Sequence, residues 1–163
     1  MDIMREITVT INVNGKPIKA AVSPEESLLD FLRYRAQATE VKCGCNKGDC
    51  GTCTVILDDQ AVKSCLVLAA QADNRHVWTV RGLEEDSLMQ ALQESFATHG
   101  AVQCGFCTPG MLMTAKNFLE HNLKPDRAYI KEAIAGNLCR CTGYKKIVDA
   151  IAAVAASRAG DRA

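Results

Sequence analysis

The sequence predicts an α+β fold in two parts, a mixed sheet with one main helix over residues 1–80 and a helical domain over residues 81–163. Three observations predict it. Residues 7 to 13 and 16 to 22 alternate apolar and polar side chains about Asn14-Gly15, the strongest short hairpin signal. Beyond Val80 the alternation stops and apolar residues recur at helical spacing. Eight of the nine cysteines fall into two sets of four, one in each part.

In chain order, the hairpin is followed by Ser23-Pro24-Glu25-Glu26, which reads as a helix start: a Ser cap, Pro in the first turn, then Glu. Leu28, Leu29, Phe31 and Leu32 give that helix an apolar face. Residues 43 to 53, rich in Cys and Gly, form a loop. Strands are expected at 54–57 and 61–63 about an Asp58-Asp59 turn, a short helix at 65–72, and a last strand at 76–80. Residues 81–87 read as a linker. Four helices follow. Leu88, Leu92 and Phe96 mark the first. Thr108-Pro109 caps the second, which runs to about His121. Pro125 and Asp126 open the third, which ends at Gly136. The fourth starts near Gly143, carries Ile147, Val148, Ile151 and Val154 on one face, and frays after Ala156.

Composition excludes several partners. Lys+Arg and Asp+Glu both number 19, so there is no basic excess to replace phosphate counterions or to attract an acidic membrane. No apolar run reaches the length of a spanning helix. The N-terminal residues run into strand-like alternation without a secretory or twin-arginine signal, so a cytoplasmic protein is expected. Thiols stay reduced there, and nine cysteines then read as metal ligands rather than disulfides. No dinucleotide, phosphate-loop, nucleophile-elbow or zinc-protease motif is present, so no catalytic residue is assigned.

The first set is Cys45-x4-Cys50-x2-Cys53, with Cys65 after a hairpin, the plant-type ferredoxin spacing for a [2Fe–2S] cluster. Gly44, Gly48 and Gly51 let the backbone wrap closely and turn N–H groups toward the sulfurs. Zinc favours paired C-x2-C spacings and fits this loop poorly. The second set is Cys104-x2-Cys107 with Cys139-x-Cys141, each pair at a helix terminus, where free N–H groups and the helix dipole favour an anionic cluster. On spacing alone, zinc remains open for this set. Cys43 reads as a spectator thiol. His76, His99 and His121 lie away from the cysteine pairs and give no Rieske-type set. Trp78, Met111 and Met113 read as core, and Lys145 and Lys146 as a solvated face.

Four stretches, GCNKGDCGTCTV at 44–55, SC at 64–65, AVQCGFCTPGM at 101–111 and GNLCRCTGY at 136–144, resemble the small iron–sulfur subunit of the molybdenum hydroxylases, the xanthine dehydrogenase and aldehyde oxidase family. The resemblance covers nearly the whole chain. It implies a plant-type ferredoxin-like (β-grasp) N-terminal domain and a C-terminal four-helix domain, each with one [2Fe–2S] cluster. It assigns Cys45, Cys50, Cys53 and Cys65 to the first cluster and Cys104, Cys107, Cys139 and Cys141 to the second. It further implies that Gln103 and Cys141 approach the molybdopterin of a separate large subunit, and that the first cluster passes electrons to FAD, usually on a medium subunit. The family often has Gly and Glu where this chain has Asn46 and Lys47, and the added positive charge favours a higher potential at the first cluster. The expected role is therefore electron transfer within a molybdenum hydroxylase; similar subunits serve purines, other N-heterocycles, aldehydes, carbon monoxide and an aryl-CoA thioester, and general likeness alone favours an N-heterocycle such as xanthine. The competing readings are a free two-cluster ferredoxin and a zinc-stabilised binding module. The helical domain argues against a free carrier, which needs only residues up to about 80.

Overall fold

The computed structural model describes residues 6–160. Strands β1 (Ile7–Val13) and β2 (Lys16–Val22) pair antiparallel with Ile11 opposite Ile18. Asn14 and Gly15 close the hairpin at φ of 52° and 79°, the paired positive values that an Asn-Gly turn supplies. Strands β3 (Thr54–Leu57), β4 (Gln60–Lys63) and β5 (His76–Trp78) complete a five-stranded sheet of order β2-β1-β5-β3-β4. Within it β1 and β5 run parallel, and the other neighbours are antiparallel. The expected last strand stops at Trp78 rather than Val80. The Asn14 side chain replaces the ladder there: its Oδ1 accepts from Thr79 N (2.8 Å) and its Nδ2 donates to Thr79 Oγ1 (2.9 Å).

The first helix starts later than its sequence signal suggests. Residues 23–26 form a turn, Glu26 N donating to Ser23 O. Ser27 is the cap, its Oγ accepting from Asp30 N (3.1 Å), and α1 (Leu28–Asp30) runs into a π-type turn at Phe31–Arg35. The cause is tertiary. Leu28 N donates to Val67 O and Ala69 N to Glu26 O, pinning this segment to 67–69. The same pairing holds Val67 and Leu68 extended, so the helix expected at 65–72 is instead two 3₁₀ turns, Ser64–Leu66 and Ala69–Ala72. The 81–87 linker holds another 3₁₀ turn at Arg81–Leu83.

Four helices follow: α2 (Ser87–Thr98), α3 (Thr108–His121), α4 (Arg127–Ala133) and α5 (Lys145–Gly160). Asp86 and Asp126 cap α2 and α4 through their carboxylates. The third helix ends at Ala133, short of Gly136, and the chain then turns to the first cysteine loop, where Leu138 N donates to Cys50 O and Asn137 Nδ2 to Gly51 O. The last stays helical to Gly160, and Arg158 secures it by donating to Leu119 O of α3 (2.6 Å). Buried Lys116 on α3 pairs with Glu120 and with Asp86, tying α3 to the start of α2.

Two apolar cores result. One lies under the sheet and α1, the other among α2, α3 and α5. Strand β3 separates them, buried on both faces: Val55 and Leu57 join the sheet core, while Ile56 points into the helical core with Met111 and Met113. The cysteine loops lie beside this shared strand. Among the described residues no helix is long and apolar enough to cross a membrane.

Candidate iron–sulfur sites

The loop from Cys43 to Cys53 gathers the first sulfurs. Gly51 sits at φ +69°, and a Cβ on Gly44 would lie 2.8 Å from Cys50 Sγ, so a side chain at either place would open the loop. Cys50 N donates to Cys45 Sγ (3.4 Å). The N–H of Lys47, then that of Cys50, draw the Cys45 thiol down to about 7, an acidity suited to metal binding. Cys65 is pushed up to about 12, first by burial and then by the adjacent Cys53 thiol. Metal binding to such a thiol displaces its proton. The sulfurs thus stand as two neighbouring pairs, Cys45 with Cys50 and Cys53 with Cys65. Lys47, expected to bring charge to this site, pairs on the surface with Asp49 (3.1 Å), which offsets it.

The second set comes from two loops. Cys107 is itself the N-cap of α3, and Pro109 sits in the first turn. Cys139 and Cys141 lie in the loop before α5. Cys104 Sγ and Cys141 Sγ are 3.6 Å apart, and Cys107 adjoins Cys139. Each pair therefore takes one cysteine from each motif, a crossing that local spacing does not reveal. The N–H of Phe106 lowers the Cys104 thiol, whereas the Cys104 side chain raises Cys141. Burial pushes Cys107 up to about 12. Burial also works against Cys139, but the Thr142 hydroxyl (3.1 Å) and nearby N–H groups outweigh it and lower that thiol.

Gln103 adjoins Cys104 on an exposed rim with Cys141. Cys43 is exposed, outside both sets of pairs. His99 and His121 turn back onto carbonyls of their own helices, Ser95 O and Asn117 O. Three supporting residues carry no signal in the spacing. Thr52 Oγ1 lies 3.3 Å from Cys50 Sγ, and Thr142 reaches Cys139. Tyr144, at φ +65°, accepts from Cys139 N (2.9 Å) and donates to Asn137 O (3.3 Å). A Thr two residues beyond one ligand and a Thr directly after another were the available hints. Among the described residues no three or more His, Cys, Asp or Glu groups gather about a single-ion site. Paired thiols with N–H groups turned toward them are a donor set that fits a binuclear iron–sulfur centre.

Comparisons with known proteins agree with this donor chemistry. A 2Fe-2S iron–sulfur cluster binding domain matches residues 11–78, and a [2Fe-2S] binding domain matches residues 79–152. The nicotine 6-hydroxylase small subunit of Paenarthrobacter nicotinovorans is 48% identical over 89% of this chain and 87% of its own. The chain belongs to the family of small iron–sulfur subunits of molybdenum hydroxylases. Quinoline 2-oxidoreductase from Pseudomonas putida 86 superposes on this subunit with a TM-score of 0.86 and 45% identity, covering 94% of this chain and 96% of that one. The aldehyde oxidoreductase of Desulfovibrio desulfuricans gives a TM-score of 0.85 at 42% identity over 94% of this chain, but only 17% of its own. In that protein the same module is one part of a much longer chain. The iron–sulfur subunit thus has the α+β, ferredoxin-like and helical architecture of an oxidoreductase component, with two [2Fe–2S]-binding domains.

Proposed function

We propose that this chain relays electrons from a molybdopterin centre on a large subunit, through two [2Fe–2S] clusters, to FAD on a medium subunit, in the cytoplasm. Residues 81–163 receive the electrons and residues 1–80 pass them on. Cys104, Cys107, Cys139 and Cys141 hold the receiving cluster, and Gln103 and Cys141 meet the pterin. Cys45, Cys50, Cys53 and Cys65 hold the delivering cluster. When bound, each cluster takes up and gives up one electron at a time.

The observation that carries this reading is the difference in access between the two mouths. Cys104 and Cys141 are exposed, so the receiving mouth opens at a surface, while in the other set Cys53, directly before β3, is buried and Cys45, Cys50 and Cys65 are half-buried. The protein's own part is to hold thiolates in pairs, to turn N–H groups toward them and to keep water from the buried Cys53. Relatives that act on nicotine and quinoline favour an N-heterocycle as the substrate of the complex.

Purified protein should contain iron and acid-labile sulfide in equal amounts, enough for two clusters, with two distinct paramagnetic signals on reduction. Cys104→Ser should remove one signal and keep the other. Retention of both signals, or zinc in a colourless protein, would overturn the assignment. Co-purification with a large molybdenum subunit separates this role from that of a free carrier, which would elute near 17.6 kDa.

A further inference from the structure

Between the two cysteine loops lies a joint made almost wholly of backbone. Leu138 N donates to Cys50 O (2.9 Å), and Leu138 is the residue before Cys139. One hydrogen bond and one residue of main chain therefore connect a cysteine of the first set with a cysteine of the second. Glycines make the approach possible. A Cβ on Gly51 would meet Gly136 O at 2.3 Å, and a Cβ on Gly110 would meet Gly51 O at 2.3 Å. Beside this contact sits Asn137, 4% exposed, its amide nitrogen directed across the joint and its amide oxygen anchored on the helical side. Its Nδ2 donates to Gly51 O (3.0 Å) and reaches Thr54 Oγ1 (3.5 Å), and its Oδ1 accepts from Thr114 Oγ1 (2.9 Å) on α3. A buried amide left unpaired is costly, so this one specifies a single register between the loops.

We infer that Asn137 is the positioning residue of an inter-cluster bridge: it locks the Cys50 and Cys139 loops together so that the Cys50 carbonyl–Leu138 N–H hydrogen bond is the contact through which electrons cross. The bridge presupposes the two clusters proposed above. Each electron that crosses leaves the cluster on the Cys139 side oxidised by one and the cluster on the Cys50 side reduced by one, with no proton moved. Tunnelling falls off steeply across an empty gap and less steeply along bonded atoms, so loss of the hydrogen bond acts on rate even when both clusters stay in place.

The test uses the full chain with its clusters bound. Pulse-radiolytic reduction gives the inter-cluster transfer rate, and hydrogen exchange gives the protection of the Leu138 amide. Asn137→Ala should keep both cluster signals, deprotect Leu138 and slow transfer by about tenfold or more, the scale on which small misplacements of reacting partners act. Thr114→Val, which removes only the hydroxyl behind Asn137, should move both readouts the same way by less, and it carries the test if Asn137→Ala loses a cluster. An unchanged rate with Leu138 deprotected overturns the bridge. Unchanged protection overturns the role of Asn137. Absence of two clusters from the unsubstituted chain would instead sink the proposed function, a separate outcome read in the same experiment.

Discussion

Gly51 concentrates several demands at one position. Its φ of +69° disfavours any side chain, its Cα lies against Gly136 O, and its own carbonyl accepts from Asn137 and Thr54. Gly51→Ala should therefore destabilise the chain by about 2–4 kcal/mol, from left-handed strain together with the clash. Thermal unfolding and iron content check this, and an unchanged melting point with full iron would refute it. A second residue gives a pH signature away from the cysteines. The Asp58 carboxylate accepts from His76 N (3.0 Å) and Arg75 Nε (2.8 Å), and the N–H of His76 first, then Arg75, hold it below its usual range. A depressed carboxylate stabilises the fold above its unfolded value near about 3.9, and that stability is lost as pH falls through the lower folded value. Asp58→Asn, which suits the positive φ there, should flatten the acid limb of stability below about pH 4 and leave its shape above pH 6 unaltered. Chemical denaturation across that range measures it. At this scale the first cysteine set is legible because one loop supplies three of its four members at fixed spacing. The pairing in the second set is not, since Cys104 and Cys141 meet across 37 residues by way of helix placement.

Elements show where local signals yield to tertiary contacts. Ser23 begins a plausible capping sequence, yet Ser27 caps α1, because the backbone of 26–28 is already committed to 67–69. Ser27→Ala should cost about 1 kcal/mol, while Ser23→Ala should stay within about 0.5 kcal/mol. Urea denaturation of both variants separates them, and equal costs would return the cap to Ser23. The same long-range pairing explains why 65–72 is not one helix: its apolar pattern suits a helix, but Val67 and Leu68 serve as a strand-like partner to α1. Hairpin β1–β2 was legible to the residue, since its turn chemistry and alternation are complete within 16 positions. Strand β3 was legible as a strand but not as the partition between two cores, because all of its residues are buried and period two alone does not say what lies on each side.

For the whole molecule, what is left exposed matters as much as what is packed. The described residues include three large apolar side chains at the mouth of the second cysteine set: Val102 (41% exposed), Phe106 (45%) and Leu138 (53%). Val102 is two residues before Cys104, Phe106 directly precedes Cys107 and Leu138 directly precedes Cys139; the Phe106 ring edge reaches toward Gly44, yet all three stay exposed among the described residues, as do Cys104 and Cys141. An isolated exposed apolar residue needs no explanation, but three around an open redox mouth mark a surface that a partner buries. On the proposed function that partner is the large subunit, and burying this rim is what would exclude water from the receiving cluster and bring Gln103 and Cys141 to the pterin. Val102→Glu and Leu138→Glu place a charge where the interface core is depleted of charge, while leaving each backbone hydrogen bond in place. Either variant should keep both cluster signals in the free subunit and weaken its association with the large subunit by about tenfold or more, the scale of a hot-spot residue. Leu123→Glu, exposed on the segment between α3 and α4, is the control and should bind normally. Titration of the large subunit with each variant, followed by size-exclusion chromatography, reads the result. Equal binding by all three would place the partner on another face of the molecule.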